Sequence, residues 1–116
     1  MTTYKFSPGD SASISLNGVA SGTGTVKPFN DCRQVNWIME FAGTINGGVV
    51  KIECAASQDY SGTWHELDSI NAADYTGGAA YGNTFPMVPG GFVRARISSN
   101  ITGGGTVTVR LNGLLG

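Results

Sequence analysis

The sequence predicts an all-β fold: a single-domain, antiparallel β-sandwich of jelly-roll type with about eight strands. Three observations predict it. Apolar and polar residues alternate with a period of two in run after run, and no run repeats with the period of a helix. Glycine supplies 18 of the 116 residues without a triplet repeat, which implies many turns. The alternating runs are short and are separated by Gly- and Asn-rich breaks, and the chain is long enough for one core only.

Residues 1–10 are polar and contain Pro8 and Gly9, so they are expected to precede a sandwich over 11–116 either as an extended arm free to lie on a neighbouring protein or, equally, as a disordered tail. Ala12, Ile14 and Leu16 alternate with serines as a first strand, and Asn17-Gly18 is a turn signal. Gly22 to Pro28 is a Gly/Thr-rich link with a short strand or loop, since Pro28 suits no central strand. Arg33 to Ala42 is the clearest strand, with Val35, Trp37, Met39 and Phe41 on one face and Gln34, Asn36, Ile38 and Glu40 on the other. Val49 to Cys54 follows after Asn46-Gly47-Gly48, and the spacing predicts an antiparallel pair with the strand before it. Alternation resumes over Thr63 to Ser69, then dissolves from Ile70 to Pro89, where Ala79 to Phe85 is a candidate strand. Gly91 to Ser98 carries Val93, Ala95 and Ile97 on one face and Phe92, Arg94 and Arg96 on the other. After Asn100 to Gly105 turns the chain, Val107, Val109 and Leu111 point inward. The expected core is Val35, Trp37, Met39, Phe41, Ile52, Trp64, Val93, Ile97, Val107 and Val109.

Charge restricts the function classes. Only 13% of residues are charged, the net charge is −1 and no basic run occurs, so no nucleic-acid surface is expected. No apolar run is long enough to span a membrane, and the N-terminal residues lack the apolar stretch of a secretory signal, so synthesis in a cytoplasm is expected. Cys32 and Cys54 form no CxxC, and with one histidine they make no zinc site; two buried free thiols are expected, with a disulfide between neighbouring strands as the alternative. No cofactor is expected.

Catalytic constellations are weak. His65 has no GxSxG nucleophile to serve and reads as a strand-surface histidine. Glu40, Glu53 and Glu66 lie on three successive runs and could pair as glycosidase carboxylates, but Lys51 is an equally natural cross-strand partner. Asp59 and Asp68 suit calcium, yet no DxDxDG loop surrounds them, so they read as residues capping local backbone. Asn100-Ile101-Thr102 fits the glycosylation sequon and reads as an Asn-initiated turn. The residues left for recognition are Thr3, Tyr4, Lys5 and Phe6 on the arm, with Tyr4 and Phe6 as apolar anchors, and Arg94 and Arg96 beside Phe92.

Two stretches carry a resemblance. Val50 to Leu67, with Ser57, Asp59, Gly62 and Trp64 at a Ser-x-Asp-x-x-Gly-x-Trp spacing, resembles a hairpin of discoidin-like sandwiches and of many small virion proteins of tailed phages. Pro89 to Ile97 with Ile101 to Val109 resembles the C-terminal hairpin that closes the same phage-type domains. The resemblance implies a non-enzymatic capsid decoration protein on the virion surface. Its partners would be the major capsid protein and further copies of itself, as a homo-oligomer, with a trimer as first form. A tail or baseplate component is a variant of that reading. The discoidin likeness also allows a carbohydrate-binding module, for which Tyr60, Tyr75 and Tyr81 in expected loops would be the platforms.

Overall fold

The computed structural model describes residues 3–7, 9–86 and 90–116; the parts of the expected arm at 1, 2 and 8, and Pro89 of the second motif, lie outside them. Alternation places one apolar row per strand against the facing sheet. The strands are β1 (Ile14–Val19), β2 (Gly22–Thr23), β3 (Lys27–Pro28), β4 (Cys32–Ala42), β5 (Gly47–Ala55), β6 (His65–Asn71), β7 (Ala80–Pro86), β8 (Phe92–Thr102) and β9 (Thr106–Leu115). Short 3-10 turns lie at Ser11–Ser13 and Ala72–Tyr75.

The first sheet has the order β1-β9-β4-β7. The second has β2-β8-β5-β6, with β3 also on β8. Pairing is antiparallel throughout. β2 and β3 meet the same strand, at Ile97 and Arg96 and at Val93 and Phe92, so they act as one interrupted strand. Counted that way, eight strands alternate between the sheets at every connection except β5–β6. This is the jelly-roll topology.

That topology corrects two expected hairpins. β4 and β5 lie in different sheets, as do β8 and β9. Both strands of each pair bury an apolar row, and facing those rows across a core buries more than pairing them edge to edge. An apolar plug sits between the layers at each crossing: Ile45, in the link between β4 and β5, is 3% exposed, and Ile101, near the end of β8, is 6% exposed. The hairpin expected around the polar turn 57–62 does form, as β5 with β6. Asn17-Gly18 is not a turn. It lies inside β1, where Gly18 has φ +61 and the register on β9 shifts between Leu16 and Val19. The candidate strand over Ala79 to Phe85 is β7.

Nine of the ten expected core residues meet between the sheets. Trp64 is the exception: it is buried, but under Arg94 on the outer face of the second sheet, outside the inter-sheet cluster. Phe29, from the link after β3, fills the core at 1% exposure.

Each open edge of the sandwich is fastened by one polar side chain. At the β1/β2 edge the buried Ser15 hydroxyl donates to the Thr25 carbonyl at 2.8 Å and accepts the Ala95 amide at 3.0 Å, bridging the two sheets. Gly24 is required there, because a Cβ would overlap the Ser15 hydroxyl and carbonyl. At the β6/β7 edge an Asp68 carboxylate oxygen accepts Trp37 Nε1 at 2.9 Å and the Tyr81 hydroxyl at 2.6 Å. Buried donors without such partners would each cost about 1–3 kcal/mol.

Candidate functional site

Two outer faces carry the residues singled out for recognition. On the first sheet, the arm extends the edge of β9 beyond β1. Tyr4 bridges Leu114, Lys5 N donates to the Gly113 carbonyl at 2.8 Å, and Leu115 N donates to the Thr3 carbonyl at 2.9 Å. The Asn112 amide clamps Phe6 from both sides, accepting its N–H and donating to its carbonyl, each at 2.9 Å. The Phe6 ring meets Phe29 edge-on with centroids 6.0 Å apart. Lys5 reaches Asp31 at 2.8 Å, and that hydrogen bond holds the Asp31 carboxyl below its ordinary value. Lys5 and Phe6 therefore hold the arm to its own domain, while Thr3 and Tyr4 stay exposed.

Under the arm lies a groove of about 520 Å3. Gln34, Asn36 and Ile38 of β4 and Arg110 and Leu114 of β9 form its floor, and Tyr4 rises at its side. Tyr4 is 50% exposed and Ile38 49%. Arg110 pairs with Glu40 at 3.0 Å. The alternation placed these β4 and β9 residues on an outer face without singling them out. The one signal was Ile38, an apolar side chain in an otherwise polar row.

On the second sheet, Arg94 and Arg96 project outward from β8 on either side of the Glu53 carboxylate of β5. Arg96 binds it through two nitrogens, each at 3.0 Å, and Arg94 through Nε at 3.1 Å. Arg94 also lies flat on the Trp64 indole, 4.0 Å from the ring centroid. Burial opposes ionisation of Glu53, but the Arg96 and Arg94 guanidiniums outweigh it and hold its carboxyl below the ordinary range. Lys51 and Glu66 pair beside them at 2.8 Å, as cross-strand chemistry allowed.

The remaining candidates are dispersed. Glu53 and Glu66 are register partners, but Glu40 stands on the other sheet, and each of the three carboxylates is paired with a cation. Asp68 does not cap local backbone alone; it bolts the sheets together. Among the described residues no group of three or more His, Cys, Asp or Glu side chains is placed to hold a metal ion. Tyr75 stacks on Phe41 at 5.3 Å and Tyr81 is tied to Asp68, so neither is a loop-tip platform. Cys32 and Cys54 are free thiols; Cys54 is buried as expected, whereas Cys32, at the start of β4, is only half-buried. Burial pushes Cys32 up to about 11 and raises Cys54 as well. No helix among the described residues is long and apolar enough to cross a membrane. The chain matches no protein-family model and no curated protein sequence, so its function is read from these two faces and the fold that presents them.

Proposed function

We propose that the chain is a non-enzymatic structural subunit of a tailed-phage particle that docks on the outside of the assembled head and stabilises it. The resemblance of the Val50 to Leu67 stretch, whose hairpin forms as β5 with β6, supports this reading, and so does a jelly-roll architecture, which recurs in capsid and lectin domains. Fold alone names no role. The observation that carries the reading is the Arg94–Glu53–Arg96 arrangement. One buried carboxylate and one indole fix two guanidiniums side by side on an outer face. Each keeps N–H donors that Glu53 does not use. Side chains already ordered lose little freedom on docking, and arginine is a frequent anchor of interfaces. The partner surface is the major capsid protein. Contacts between copies, as a homo-oligomer and first of all a trimer, would use the edge strands β6 and β7. Many symmetric copies on one particle strengthen a modest single contact through avidity.

Purified heads lacking the protein, incubated with it, test the reading. Binding should saturate at a fixed copy number and raise the temperature at which heads open. Arg94→Lys with Arg96→Lys keeps the charge but loses the planar fork, and should weaken binding by about tenfold or more. Failure to bind heads, with recovery of the protein in purified tails, moves the assignment to the tail or baseplate.

A further inference from the structure

The two sheets have four open edges, and three of them carry devices that block a further strand. β1 is broken by two register shifts on β9 and by Gly18 at φ +61. β2 and β3 span two residues each, and Pro28 ends the second. β6 carries Glu66 and Asp68, and its register on β5 shifts between Ile52 and Glu53. β7 has neither charge nor bulge: Ala80 to Pro86 meets β4 in seven consecutive pairs without a shift. Phe41 N donates to the Ala79 carbonyl, which fixes the phase of this ladder, so Tyr81, Asn83 and Phe85 turn their backbone groups toward β4. Ala80, Gly82, Thr84 and Pro86 turn theirs outward, and all four residues are exposed. The Thr84 N–H is taken by the Asn83 side chain at 2.8 Å, and Pro86 has none, so pairing would stop there. The N–H and C=O groups of Ala80 and Gly82 have no hydrogen-bond partner among the described residues.

We propose that β7 pairs antiparallel with β7 of a second copy of this chain, about a two-fold axis at Gly82. In that register Gly82 faces its own copy and Ala80 faces the copy of Thr84. The paired glycines exchange hydrogen bonds, and each Ala80 N–H donates to a Thr84 carbonyl. A two-fold contact sets a strand against its own sequence, so a charged edge such as β6 repels itself. β7 has no charge to repel. Tyr81 and Phe85 pack toward the core, which leaves the small side chains of Ala80 and Thr84 on the outer face where the strands meet. The pairing joins two four-stranded sheets into one continuous sheet. The inference rests on the reading that copies of the chain meet and narrows it to β7; it does not rest on head docking. A two-fold contact closes at two copies, so β7 makes a dimer, and a three-fold form needs a different contact. One strand edge buries less than a standard interface, so the dimer is weak in solution.

The test is sedimentation equilibrium of the intact chain up to about 1 mM, high enough to half-populate a contact of millimolar Kd. The wild type should fit a monomer–dimer equilibrium. Gly82→Lys should weaken it about tenfold or more by setting like charges against each other. That variant should fold, because Gly82 lies outside the left-handed region and a Cβ there meets only ordinary contacts, 3.5 Å from the Trp37 carbonyl and 3.7 Å from the Ile38 side chain. Gly82→Glu alone should be weakened alike, and an equimolar mixture of the two variants should restore the dimer. Amide exchange of the wild type at Ala80 and Gly82 should slow about twofold when half the chains are paired, with Tyr81 and Asn83 unchanged because they already bond β4. A monomer at every concentration overturns the proposal, as does a dimer or trimer that Gly82→Lys leaves intact. A mixture of the two variants that stays monomeric overturns the register at Gly82. A wild-type monomer that still saturates heads overturns this contact and leaves the docking reading standing. A wild-type dimer that passes these tests yet binds no heads supports the contact and removes the docking reading.

Discussion

Single polar side chains do much of the positioning in this sandwich, and their protonation makes them measurable. Burial, followed by the hydrogen bond to Asp68, pushes the Tyr81 hydroxyl up to about 12. An ultraviolet titration should therefore show a late phenol ionisation, and Tyr81→Phe should remove that step. Asp68→Ala should cost about 1–3 kcal/mol in chemical denaturation, since it strands the Trp37 indole N–H in the core. Glu53 acts in the acid range. Its folded value is depressed, so its contribution is complete above the ordinary value of 4.5 and is lost as the pH falls through the depressed one. Denaturation midpoints of the wild type should drop across that window more than those of Glu53→Gln. At neutral pH the variant itself should be less stable by about 3 kcal/mol, because two guanidiniums lose their partner.

At the scale of elements, the arm behaves as a strand that happens to precede the first turn. Its hold depends on Asn112, which closes both polar groups of Phe6. Asn112→Ala should release the segment as a unit. Amide exchange at Lys5 and Leu115 should accelerate together, with β4 and β5 unchanged. Nothing in Thr3 to Phe6 announced this docking, because the partner amide lies more than a hundred residues away. The inward rows of β4, β5, β8 and β9 were legible from alternation alone, since burial of one face is a local pattern. Sheet membership was not. A Gly-rich connection fits a hairpin and a crossing equally well, and only the packing of Ile45 and Ile101 between layers distinguishes them. Trp64 was misplaced for a related reason. An indole under a guanidinium is as well buried as one in a core, and alternation does not say which cover it has. Arg94 and Arg96 were legible as an outer pair, but the buried carboxylate that joins them required the β5–β8 register.

Over the whole molecule, the jelly-roll order sets distant parts of the chain side by side. β1 and β4 flank β9, so the first and last strands share a sheet. Structure dominated by such non-local pairing folds slowly, on the order of milliseconds to seconds. The two outer faces look away from each other, so a subunit seated on a particle through one would display the other outward. The arm adds a further consequence. Thr3 and Leu115 are hydrogen-bonded neighbours on antiparallel segments, the relation of two residues that a tight turn could join. A few glycines between Gly116 and Thr3 should therefore close the polypeptide into a ring, and the ring can be opened elsewhere. Opened between the exposed Gln58 and Asp59, in the β5–β6 hairpin, the circular permutant should keep the wild-type circular dichroism spectrum and a cooperative unfolding transition. Its new ends would emerge beside Tyr60 and Trp64, on the second sheet, and a tag attached there would report occupancy of the Arg94 face while leaving the groove open.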